Sequence, residues 1–500
     1  MFTGGAATDT VRLDNTSSNS LVTVSTANAF DLRRDFTFVG TNSLNLGTGV
    51  ATFGPSTTTG TRIISVTANT LTFGGSIKET GVYAMTKSGN GTLVFSGTGS
   101  TYSGLSSVSA GTLAGIGANA FGNTSNISIA AAGTLSLRGD SDTIFAKTID
   151  NVTRYTVSTT ASAATINVDQ ATAGNTAAKT MTIGTLTVGS AAATAQTKLT
   201  GTNGASLSVG AVTNTTAASG TTQFTNTISG GGSFTLASYT DTRTGTPTLK
   251  FDGSGNTTVT GAIAQNGVNT LALTYSGTGI LTLNGASSFT GATTASSGTL
   301  LVNGGVAGTS SGTGTGSVSV TGTGSVLGGT GAISGNVSIG AGSKITGGTL
   351  GTSAANAAAN VGTLNTGALT LNATSVFLVD IGTTTSFDKL SITGINNTLA
   401  GTLTLNIATG LTFTAGQQLS LIDNDGTDAF IGTFAGVAEG GAVTSGGYSF
   451  TASYRGTDGL TGNDFVLTAT AVPEPSTWVG AGLISGLALN SLRRRRQSSI

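Results

Sequence analysis

In the stretch LIDNDGTDAF (421–430), Asp423, Asp425 and Asp428 surround Gly426. Oxygen-rich loops bent by glycine suit calcium, but the spacing is not that of an EF-hand, and the plainer reading is a turn between strands. Arg138-Gly139-Asp140 spells a short adhesion tripeptide, a match that chance alone supplies in a long chain. The GTGTG run lacks the lysine and helix of a phosphate-binding loop. The chain has no histidine and no cysteine, which excludes disulfides, Cys/His zinc sites and a Ser-His-Asp triad. Glutamate occurs only at 79, 439 and 474. An enzyme would have to bring scattered aspartates together in one groove, and no cluster of them is visible. No catalytic residue, metal site or cofactor is therefore expected.

The last stretch with a chemical pattern is the C-terminus, VPEPSTWVGAGLISGLALNSLRRRRQSSI. Pro473 and Pro475 flank Glu474 and hold it extended, so a helix in the adjoining apolar run cannot continue backward through them. Thr477 to Leu492 is an apolar run of about sixteen residues, against ~20 for a comfortable membrane span. Arg493, Arg494, Arg495 and Arg496 close it as a stop, because arginines stay on the cytoplasmic side. A helix is expected from about Trp478, with 472–476 extended and exposed. Residues 1–20 carry no basic n-region and no apolar h-region, so the true start is expected to lie upstream.

The elements that carry these stretches are written in short rungs. GTLVFSG at 91, GTLSLRG at 133, GTLTVGS at 184, GILTLNG at 279, GTLLVNG at 298, GSVSVTG at 316 and GTLTLNI at 401 share one form: glycine, a small or polar residue, then apolar-x-apolar. In a strand, Leu281 and Leu283 point inward and Thr282 outward, as do Leu135 with Leu137 and Leu186 with Val188. Glycine supplies positive φ at the corners. One rung buries two side chains, too few to fold alone, whereas stacked rungs bury a continuous column. The expected fold is all-β: a parallel β-solenoid with a short C-terminal apolar helix. Leu93, Phe95, Leu281, Leu283, Leu300 and Val302 should share its core.

Composition agrees. Glycine is 78 of 500 residues, about twice the usual ~7%. Charged residues are 8% against ~25% in an average domain, while 37% hydrophobic residues are too many for a charge-rich disordered tail. The residues before Pro473 carry a net charge of −3 with no basic cluster, so no nucleic-acid partner is expected.

A longer frame is visible twice. GNGTLVFSGTGSTYSGLSSVSAGTL (89–113) aligns with GTGILTLNGASSFTGATTASSGTL (277–300), placing Tyr102 opposite Phe289. Both stretches resemble the autotransporter-associated β-strand repeat of large exported bacterial proteins, which implies a right-handed β-helix. Four regions are expected: 1–75 a partial N-terminal repeat region, 76–350 the repeat solenoid, 351–470 a C-terminal β module, and 472–496 the tail. That tail resembles the PEP-CTERM sorting signal, with Pro473, Glu474 and Pro475 as signature and Arg493 to Arg496 as basic end. The resemblance implies recognition and cleavage by an exosortase, a transient inner-membrane anchor, and delivery to the surface or matrix of a Gram-negative bacterium, with an exopolysaccharide or other surface matrix as partner. Two alternatives stand beside a non-catalytic surface protein: a polysaccharide-active β-helix enzyme, and an ice-binding solenoid. The last requires outward threonine ladders, which TMTIGTLTV at 180–188 begins but the sequence does not sustain.

Overall fold

A computed structural model describes residues 11–54, 59–124, 126–130, 132–145, 157–159, 163–189, 194–214, 219–350, 357–425, 428–456 and 462–470. The tail, with the helix expected from Trp478, lies outside the described residues. So does Gly426.

Strands stack in parallel on three walls. The first wall runs through seventeen strands, from Leu21–Thr23 to Ile431–Gly432, each paired with the equivalent strand of the next turn. The second begins at Phe30–Leu32 and is carried from Thr143–Ile144 to Thr402–Ile407 by a continuous parallel ladder. The third runs from Val11–Leu13 to Ile263–Gln265 and is taken up again by Thr363–Thr366, Lys389–Ile392 and Gln418–Asn424. At ~4.8 Å per strand the stack is about 80 Å long. This is the expected all-β parallel solenoid.

Alternation within each rung builds it. Leu93, Phe95, Leu281, Leu283, Leu300 and Val302 are all buried, as are Leu135, Leu137, Leu186 and Val188, while Thr282 faces outward. Burying a leucine is worth roughly 1.5–3 kcal/mol, so the column, rather than any central core, supplies the stability. Inside it runs a file of rings, one per turn. Centroids of Phe36 and Phe73 lie 6.5 Å apart, Phe73 and Phe95 5.9 Å, Phe95 and Phe121 6.5 Å, and Phe121 and Phe145 6.2 Å. Tyr102 packs edge-on against Phe53 at 5.5 Å, and its hydroxyl bonds Ser106 at 3.1 Å.

The corner glycines only partly follow expectation. Gly111 and Gly298, which open GTL units, have φ of +65° and +62°. Gly279 does not have positive φ; a Cβ there would sit 2.7 Å from the Gly255 carbonyl oxygen of the preceding turn. Close approach between turns, as much as backbone handedness, selects the residue.

The C-terminal end is closed differently. Gln418–Asn424 pairs parallel to Lys389–Ile392 on one side and antiparallel to Asp464–Ala469 on the other. Tyr448–Gly456 and Ala442–Ser445 continue the antiparallel run. Phe434, Tyr454 and Phe465 cluster beneath it, with ring centroids 4.8–6.3 Å apart. An open parallel edge is thereby converted into a short hairpin-bounded one, the usual device against edge-to-edge association.

Candidate functional site

The solenoid offers surfaces and a few buried polar clusters. On the first wall, Thr70, Thr92, Thr112, Thr134 and Thr165 pair turn by turn into one outward rank. Farther along that wall, Thr274, Thr294, Ser319, Ser338, Thr370 and Thr398 form another. Thr182, Ser208, Thr235, Thr258 and Thr282 make a third on the second wall. All are half-buried between inward neighbours. The sustained ladder that the sequence lacks along the chain is thus present across it. Successive members are 19 to 32 residues apart in the chain, so no linear motif betrays them.

The aspartates of 421–430 do not converge on a metal position. Asp423 pairs with Lys389 at 3.1 Å, and Asp428 accepts the Asn396 amide at 2.9 Å. Asp425 is exposed, its carboxyl raised by partial burial and by Asp423 and Asp428. Among the described residues no group of three acidic side chains could hold a metal ion. The Arg138-Gly139-Asp140 tripeptide is turned to internal use. Arg138 donates to the Gln170 carbonyl at 3.3 Å, and Asp140 accepts the Thr172 amide at 2.9 Å, bracing the next turn. The Thr172 hydroxyl and amide hold the Asp140 carboxyl below the usual range.

Two carboxylates do converge, Asp380 and Asp388, and both are fully buried rather than set in a groove. Asp388 Oδ2 accepts the Thr346 hydroxyl at 2.6 Å and the Asp380 amide at 3.0 Å, while its Oδ1 accepts the Gly362 amide at 2.9 Å. One carboxyl thus ties together a second-wall corner, the start of the third-wall strand Thr363–Thr366 and the bend at 380–388. Burial, reinforced by the nearby Asp380 charge and opposed by those hydrogen bonds, lifts Asp388 to about 7. Asp380 Oδ1 accepts Asn406 Nδ2 at 3.0 Å.

Two buried cations were not singled out from the sequence. Arg243 bonds Asp241 through Nε and Nη2, the latter at 2.6 Å, and its Nη1 donates to the Gly220 carbonyl at 2.9 Å. The Tyr239 hydroxyl donates to Asp241 at 2.8 Å. Lys87 Nζ donates to the Ser88, Gly89 and Ala110 carbonyls at 2.8, 2.7 and 3.1 Å. Its burial pulls it down to about 8. The signal available was position: Lys87 stands where the alternation YAMTKS requires an inward residue. Each of these groups is satisfied from within and braces the wall.

Among the described residues no helix is long and apolar enough to cross a membrane. Pro473, Glu474, Pro475 and Arg493 to Arg496 lie outside them.

The fold and its surfaces define a parallel β-solenoid covered in hydroxyls. Within it, residues 85–114 and 273–302 match the passenger-associated-transport-repeat family, and no curated protein matches the chain. Autotransporter-type repeats are therefore present twice, in the two stretches aligned by their own sequence, and no catalytic family is identified. The two copies sit on different walls. Thr92–Phe95 lies on the first wall and its counterpart Ile280–Leu283 on the second. The repeat is a unit of corner and walls that is not tied to one face.

Proposed function

We propose that this chain is an exported, non-catalytic protein of the bacterial surface or extracellular matrix, carried there by its C-terminal tail. The observation that carries the reading is the two passenger-type repeats built into a parallel solenoid. Passenger-like repeats imply export, and the tail supplies an address. Arg493 to Arg496 remain inside, the short apolar run pauses in the inner membrane, and Pro473, Glu474 and Pro475 stand just outside it. An exosortase-type enzyme then cuts there and releases the body to the surface, where an exopolysaccharide or other matrix component receives it. The low charge of the body and its ranks of hydroxyls suit a neutral, hydrated partner.

Mass spectrometry of protein recovered from the surface of an exosortase-bearing host tests the processing. The expected product lacks the arginines; recovery of intact RRRRQSSI refutes it. Replacing Pro473, Glu474 and Pro475 together should abolish surface delivery, and unchanged delivery refutes the address.

A second reading, an ice-binding solenoid, is favoured by the threonine and serine ranks, which hold hydroxyls at the ~4.8 Å strand spacing. Thermal hysteresis in purified protein decides it: none at high protein concentration removes this reading.

A further inference from the structure

The hairpin Gly305–Ser311 leaves the stack after the second-wall strand Thr299–Val302 and folds back across a corner, closed by the pairing of Val306 with Ser310. Beneath its tip is a cavity of about 220 Å³, the room of roughly seven waters at ~30 Å³ each. Its floor comes from successive turns: Ile333 and Ser334 from one, Asn365 and Thr366 from the next, and Thr393 from the one after. Thr309 closes it from the hairpin side. No ionisable side chain is among its lining residues.

The hydrogen bonds give the cavity a polarity. Thr366 donates its hydroxyl to the Gly367 carbonyl at 3.0 Å, and Thr393 donates its own to the Thr366 carbonyl at 3.1 Å. Asn365 spends Nδ2 on the Gly331 carbonyl at 3.1 Å. These groups keep oxygen lone pairs and the second Asn365 Nδ2 hydrogen for a guest. Ser334 and Thr309, both exposed, add hydroxyls at the rim. A guest must therefore both donate and accept. An ammonium, carboxylate or phosphate group would lose its hydration without gaining a counter-charge. A neutral, hydroxyl-bearing ring, whose hydroxyls both donate and accept, meets the requirement.

We propose that this cavity holds one sugar residue, an end or branch of an uncharged polysaccharide. The site rests on the proposed matrix role and supplies its point of contact. With no aromatic ring among the lining residues, the contact relies on shape and hydrogen bonds, and a single site binds weakly. Copies held together on one cell surface would engage one polymer through multivalency.

Affinity electrophoresis of the full chain in gels cast with dextran, laminarin or galactomannan, with alginate as an acidic control, tests the assignment. Retardation by at least one neutral polymer and none by alginate is expected. Ser334→Leu and Thr309→Leu, at exposed rim positions, fill the cavity and should cut that retardation at least tenfold with the circular dichroism spectrum unchanged. Thr294→Leu, on the first-wall rank and outside the cavity, should retain it. Absence of retardation in every neutral gel, equal retardation by alginate, or equal loss in the Thr294→Leu protein overturns the proposal. Surface delivery of the Ser334→Leu protein is read in parallel. Loss of sugar binding with delivery intact separates failure of this site from failure of the export reading.

Discussion

Asp388→Asn tests whether one buried carboxyl clamps the last turns together. In the folded chain this group is lifted from 3.8 to about 7. That difference corresponds to roughly 4 kcal/mol, at about 1.36 kcal/mol for each tenfold change in proton affinity. Because the folded state holds the proton more tightly than the unfolded one, the stability is full below about pH 4. It falls as pH rises and is lost through about 7. The expected readout is local, since a solenoid opens turn by turn rather than all at once. The Gly362 amide donates directly to Asp388. Its exchange protection, corrected for intrinsic rate, should drop by up to about two orders of magnitude between pH 4.5 and 8. The asparagine variant keeps an acceptor for the Thr346 hydroxyl and the Asp380 amide but turns an NH₂ group toward the Gly362 amide. It should lose roughly 1–3 kcal/mol at pH 4.5. It should also lose at least half of the pH slope and exceed the natural chain in protection at pH 8. Hydrogen exchange with mass spectrometry, resolved at 357–392, measures this. Wild-type protection that is flat or rising between pH 5 and 8, or an equal slope in the variant, refutes the reasoning.

Lys87→Met should destabilise the surrounding turn by roughly 1–3 kcal/mol despite its better apolar match, because the Ser88, Gly89 and Ala110 carbonyls lose their donor; exchange protection at 106–116 reads it. In the natural chain Lys87 is lowered to about 8, so stability of that turn should rise between pH 8 and 10.5, and denaturant midpoints across that window check the sign. Arg243→Met strands the buried Asp241 charge and should cost about 3–5 kcal/mol, whereas Arg243→Met with Asp241→Leu should recover much of it in urea titrations. Gly285→Ala would place a Cβ 2.1 Å from the Gly261 backbone; it should lower the thermal midpoint more than Thr282→Ala, an outward change on the preceding strand.

The inward faces were legible because alternation is a property of four or five consecutive residues. Leu281-Thr282-Leu283 declares its own orientation, and the match of Tyr102 with Phe289 marks equivalent buried corners. What sequence could not show depends on pairing between turns of unequal length. Thr112 and Thr134 are neighbours in space through 22 residues of chain, and Ser338 and Thr370 through 32, so the ranks have no fixed period to read. The same holds for Asp388, whose partners Thr346, Gly362 and Asp380 lie on three separate segments. The cavity under Thr309 needs three turns and a hairpin before it exists at all. The proposed sorting signal is the reverse case: its pattern from Pro473 to Arg496 is linear and is read without any fold.

The displacement of the second repeat from the first wall to the second makes the solenoid an indexing device. An inserted whole turn lengthens the rod by ~4.8 Å and leaves every downstream face where it was. An inserted segment worth a single wall turns everything beyond it by a third of the circumference, and the hydrogen-bond ladders close up behind it. The chain between Thr92–Phe95 and Ile280–Leu283 embodies one such step. Lengths and headings of the cavity and the hydroxyl ranks can therefore change independently, by small insertions between corners, without any residue of the sites themselves being altered.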